Sequence, residues 1–84
     1  MKIIINPSAK MQMSKNLKEL RKKSGLSQEG VTAKMNLLGS SLERSAYSKI
    51  ELGVRNIKAT DLIILQEIYG VDYAEFFKGI PTHE

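Results

Sequence analysis

The sequence predicts an all-α domain of five short helices. Three observations lead there. Apolar residues recur three and four positions apart in successive windows, the windows are separated by single glycines suited to helix stops, and the 84 residues allow only one small core.

The opening segment, "MKIIINPSAKMQM", does not fit this pattern. It has an isoleucine triplet followed by Asn6-Pro7, which argues against a continuing helix. Residues 1–13 are therefore expected to be an N-terminal arm, either frayed or ahead of a later start at Met11 or Met13. The other reading is a strand that pairs with a second subunit. The first helix is expected from about Ser14, as N-cap, to Ser24. Leu17 and Leu20 lie on one face, Lys22 and Lys23 suit the last turn, and Gly25 suits the stop.

Ser27 caps the second helix, in which Val31, Met35 and Leu38 follow at i, i+4 and i+7 before Gly39. Gly30 occupies the position where a capping box wants Glu or Gln, a loss of about 0.5 to 1 kcal/mol in propensity. The third helix spans about 43–52 and stops at Gly53. The fourth, about Ala59 to Tyr69, buries Leu62, Leu65, Ile68 and Tyr69 ahead of Gly70. A last short helix, Asp72 to Lys78, sets Tyr73, Phe76 and Phe77 against the bundle, and residues 81–84 form a tail.

Composition narrows the function. Without cysteine there are no disulfides, thiolate nucleophiles or thiolate metal sites, and the lone His83 lies beside the C-terminus, so no metal site and no cofactor are expected. No glycine-rich phosphate loop occurs, and the hydroxyls and acids have no histidine or cysteine partner, so an enzyme is not expected. No apolar run is long enough for a membrane span or a signal peptide, and a cytoplasmic protein is expected.

The net charge of +4 hides a strong asymmetry. Residues 1–58 carry twelve basic and four acidic residues, a net of +8, whereas residues 59–84 carry one lysine and five acids, a net of −4. One pole of the molecule is thus suited to a polyanion, with the other facing away from it.

Helix, glycine, short turn and a second helix with a polar outer face make a helix-turn-helix, whose second helix can enter the major groove of DNA. In that helix Arg44, Ser45, Ser48 and Lys49 fall on one side, and Leu42, Ala46, Tyr47 and Ile50 on the other. The segments "LRKKSGLSQE", "YSKIELG" and "YGVDYAEFF", in that order across about residues 14–78, resemble the Cro/phage-repressor (XRE-type) helix-turn-helix family.

The resemblance implies a lambda-repressor-like fold, with helix three as recognition helix and Arg44, Ser45, Ser48 and Lys49 as base readers. Arg and Lys suit guanine edges, and Ser suits several. It also implies phosphate contacts from Gln28, at the start of helix two, and from Arg55 and Asn56, just past Gly53. Arg21 and Glu51 match an ion pair that braces the helices.

Three departures from the family pattern stand out. The stretch between Val31 and Glu51 is several residues longer than usual, with Asn36 where the turn glycine commonly sits. The longer connection would either tilt helix three or bring Ser40 and Ser41 to the DNA backbone. Thr32 replaces a small alanine, and Glu43 replaces a small hydroxyl residue at the start of helix three, where a carboxylate suits the helix dipole but repels phosphate.

The leading function is a sequence-specific transcriptional regulator, a repressor, that binds a double-stranded DNA operator as a homodimer. Ile63, Ile64, Phe76, Phe77 and Ile80 are its candidate dimer surface. The alternative is an antitoxin or anti-repressor working through protein contacts of the acidic C-terminal helices, with a toxin or anti-repressor protein as partner.

Overall fold

The computed structural model describes residues 7–80. Among them the chain is entirely helical: α1 (Pro7–Lys23), α2 (Gln28–Leu37), α3 (Arg44–Glu51), α4 (Ala59–Tyr69) and a terminal 3₁₀ helix (Tyr73–Phe77). This is the lambda-repressor-like arrangement expected. Helix α1 packs on α3 and the 3₁₀ helix, and α2 packs on α3 and α4. No helix of the described residues is long and apolar enough to cross a membrane.

Helix α1 starts earlier than its apolar spacing predicts. Residues 7–13 form its first turns, not an arm, and Ser14 is not an N-cap. Proline at the start of a helix sacrifices only an N–H that has no intrahelical partner, so Pro7 opens this helix where it was read as a breaker. Ala9, Met13, Leu17 and Leu20 then form one continuous buried stripe. Ser14 is itself buried, and its Oγ donates to the Ile50 carbonyl at 2.7 Å, near the end of α3. Buried Asn16 donates to the carbonyls of Phe76 at 3.0 Å and Lys78 at 2.8 Å, tying α1 to the C-terminal turn. Residues 1–6, and with them the isoleucine triplet, lie outside the described residues, as does the tail 81–84.

The remaining elements follow their apolar spacing. The core joins Met13, Leu17 and Leu20 of α1 to Val31 and Met35 of α2, Leu42, Tyr47 and Ile50, Leu62 and Leu65 of α4, and Phe76. Ser27 caps α2 by accepting from the Gly30 amide at 2.9 Å. The helix ends at Leu37, and Gly39 turns the chain with φ 104°, a conformation that favours glycine.

The C-terminal aromatics differ from expectation. A 3₁₀ helix, begun by Asp72 accepting from the Ala74 amide at 3.0 Å, forms where a longer helix was expected. Three residues per turn bring Tyr73 beside Phe76, with ring centroids 6.2 Å apart and planes tilted by 49°. Phe76 is fully buried, whereas Tyr73 and Phe77 are exposed. Phe76 is therefore withdrawn from the candidate dimer surface. Ile64 and Ile80 are half-buried against the core, which leaves Ile63 and Phe77 as its exposed members.

Candidate nucleic-acid interface

Helix α3 is amphipathic over eight residues, about 12 Å at the usual helical rise. Tyr47 and Ile50 anchor it in the core. Arg44, Ser45 and Lys49 are exposed on the other side, and Ser48 is half-buried between the two faces. The four expected base readers thus share one helix, three of them fully presented. At its start Glu43 has extended geometry but makes no side-chain cap, so no side chain meets the first N–H groups. The first intrahelical bond runs from the Tyr47 amide to the Glu43 carbonyl at 2.9 Å.

The far end of α3 is clamped by charge. Arg21 Nε donates to Glu51 Oε2 at 2.7 Å and Nη2 to Oε1 at 3.0 Å, a bidentate pair, while Nη1 donates to the Leu26 carbonyl at 2.8 Å. The side chains are 10% and 3% exposed, so the pair is shielded from water. Burial pushes the Glu51 carboxyl up, but the hydrogen bonds from Arg21 and Gln28 and the charge of Arg21 outweigh it and hold the group below the usual carboxylate range. The bond to Glu51 likewise raises the Arg21 guanidinium, so both partners are charged at neutral pH.

Two phenols close this cluster. The hydroxyls of Tyr47 and Tyr69 are buried without a hydrogen-bond partner inside the usual geometry, although each lies within the field of Glu51. Burial raises Tyr47 far above the ordinary phenol and pushes Tyr69 up to about 12, so both stay neutral. Both tyrosines are legible in the sequence as apolar-face residues, whereas their approach to the ion pair depends on how the helices pack.

Gln28 and Ser40 are drawn inward compared with their expected roles. Gln28 Nε2 donates to Glu51 Oε1 at 3.1 Å, which makes the side chain part of the clamp. The Ser40 hydroxyl donates to Asp61 Oδ1 at 2.7 Å and accepts from the Leu42 amide at 3.1 Å. Ser41, Arg55 and Asn56 are exposed. Ser41, Glu43, Arg55, Lys58 and Asp61 help line an open depression beside the start of α3, which sets two cations close to that end of the helix.

The lengthened connection is a built turn. Asn36 Nδ2 donates to the carbonyls of Ser40 at 3.1 Å and Leu42 at 3.0 Å, and the Ser40 amide donates to the Met35 carbonyl at 3.0 Å. Asn36 thus supplies side-chain bonds where a glycine would supply only a turn. Thr32 is accommodated by bonding back to its own helix, to the Gln28 carbonyl at 3.0 Å and the Glu29 carbonyl at 3.1 Å. Asp61 was missed as a structural residue; its one sequence signal was an acid beside Leu62 and four residues before Leu65, on the apolar face of α4.

Comparison with known proteins agrees with this geometry. The family model described as Helix-turn-helix matches residues 17–76, most of the chain. The chain belongs to the XRE-type helix-turn-helix family. Among curated proteins, Control protein C.MunI of Mycoplasma sp is 36% identical over 72 residues, covering 84% of this chain and 90% of that protein. No solved structure matches the chain. Membership makes this a DNA-binding regulatory domain. The family model begins at Leu17, so the first turns of α1 lie ahead of the matched segment.

Proposed function

We propose that the protein is a sequence-specific transcriptional regulator that binds an operator in double-stranded DNA as a homodimer, in the cytoplasm, with α3 in the major groove. The observation that carries this reading is the outward row Arg44, Ser45 and Lys49, with Ser48 at its edge, on a helix whose opposite side is locked in the core. An α-helix, about 10 to 12 Å across with its side chains, fits a groove about 12 Å wide, and Arg and Lys can donate to guanine O6 and N7. Arg55, Asn56 and Ser41 are assigned to phosphates, where they set the register of the protein on the duplex. Gln28 and Ser40, whose side chains face Glu51 and Asp61, are left out of that set.

One α3 reads only a few base pairs, so specificity calls for two copies about one helical turn apart. Exposed Ile63 and Phe77 on the acidic half supply apolar surface for pairing away from the basic face. Repression fits a domain that occupies its operator, and the similarity to a control protein supports a regulatory role.

The testing experiment is selection from a random DNA pool at moderate salt, followed by sequencing of the bound fraction. An enriched inverted repeat with half-sites about 34 to 36 Å apart is expected. Absence of enrichment by folded protein would reject the reading and favour a protein-binding role.

A further inference from the structure

The connection between α2 and α3 leads into the recognition helix; Asn36 bonds it from within at the Ser40 and Leu42 carbonyls, and Asp61 bonds it from a different helix through the Ser40 hydroxyl. Asp61 lies in the first turn of α4 and is 7% exposed. Its Oδ1 accepts the Ser40 hydroxyl at 2.7 Å, the short distance of a charge-assisted bond. The same hydroxyl oxygen accepts the Leu42 amide at 3.1 Å. Leu42 N–H, Ser40 Oγ–H and Asp61 thus form a relay in which each bond polarises the next. Leu42 is itself buried, and α3 begins two residues later.

We infer that Asp61, acting through Ser40, is a positioning residue for base readout, because it holds the N-terminal turn of α3 in the orientation that DNA recognition requires. This rests on the major-groove reading proposed above. The C-terminal end of α3 is fixed independently by Arg21–Glu51 and Ser14. Release of the Asp61 relay therefore swings the helix about its C-terminal end. Arg44 and Ser45, farthest from that end, move most, and Lys49 moves least.

A simpler role for Asp61 is as an acid in the first turn of α4, where a negative charge suits the helix dipole. Neutralisation separates the two roles. Asp61→Asn removes the charge but keeps Oδ1 as acceptor for Ser40; Asp61→Ala removes both. Ser40→Ala keeps the charge and removes one oxygen atom.

The full-length chain and these three variants are to be titrated with the selected operator and with operators changed at each base pair in turn. Amide hydrogen exchange of Leu42 is to be measured on the same proteins without DNA. Asp61→Ala and Ser40→Ala are expected to lose discrimination about tenfold, concentrated at the base pairs read by the first turn of α3 and small at those read by Lys49. Asp61→Asn is expected to keep it, and Leu42 to exchange faster in Asp61→Ala than in Asp61→Asn. Even loss at every base pair, no loss, or equal behaviour of Asp61→Asn and Asp61→Ala would overturn the inference. Ser40→Ala carries the test if Asp61→Ala does not fold. A wild-type protein without sequence preference brings down the major-groove reading and the inference with it; a selective wild type with an equally selective Ser40→Ala overturns the inference alone.

Discussion

The two ends of α3 are held by different chemistry. At the C-terminal end a buried bidentate ion pair, Arg21–Glu51, is backed by Gln28 and by Ser14 on the Ile50 carbonyl. At the N-terminal end there is no buried cation. The start of the helix is set by a longer loop whose Asn36 and Ser40 bond to backbone carbonyls, to a backbone amide and to Asp61. The C-terminal end resists change because its charges cannot be separated cheaply. The N-terminal end can vary in length, provided that the new loop satisfies its own polar groups. The polar groups of the connection are thus satisfied at the end that presents Arg44, while the C-terminal end is held by the ion pair.

The largest expected effect comes from breaking the ion pair. Arg21→Ala leaves the Glu51 carboxylate buried and uncompensated, and is expected to cost about 3 to 5 kcal/mol in thermal or urea unfolding. Acid should reach the same bond. Because Glu51 has a lower carboxyl pKa folded than unfolded, its stabilisation is complete above the unfolded Glu value and is lost as pH falls through the folded one. Unfolding free energy measured from neutral pH downward should begin to decline near the ordinary carboxylate range in the wild type. Arg21→Ala should lack that part of the decline.

At the opposite end, Arg44→Ala is expected to cost about 1 to 3 kcal/mol of operator binding at one position per half-site, with little change in stability. Binding assays on single-base operator variants check this. A uniform loss across all sequences would reassign Arg44 to the phosphate backbone.

Ser14→Ala sharpens the comparison at smaller scale. It removes one of two donors to the Ile50 carbonyl and leaves the Gly53 amide at 3.1 Å, so about 0.5 to 1.5 kcal/mol of stability is expected to go, read by urea unfolding. The smallest effect is expected at the exposed loop beyond α3. Arg55→Ala should weaken binding to all sequences alike and reduce the slope of log affinity against log salt by roughly one.

Much of the fold is legible residue by residue. Leu17, Leu20, Val31, Met35, Tyr47, Ile50, Leu62 and Leu65 are spaced as helical faces, and each is buried. The outward row of α3 is legible for the same reason, since the buried positions define the side left to solvent. Pro7 misled because one residue type supports two opposite readings: it breaks a helix from within and opens one at the first turn. Gln28 and Ser40 misled because a polar side chain near a DNA-facing surface has the same identity whether it points outward or bonds inward to an acid more than twenty residues away.

The sequence by itself determined the helices, their order, the apolar faces and the charge asymmetry, because these depend on neighbours within one or two turns of the chain. Tertiary structure alone decided which polar groups meet: Glu51 with Arg21, Gln28 and the field of two tyrosines, Ser14 with Ile50, and Asp61 with Ser40. Hydrogen bonds require approach within about 3 Å and a narrow angle. For residues this far apart along the chain, only the packing of whole helices supplies such geometry.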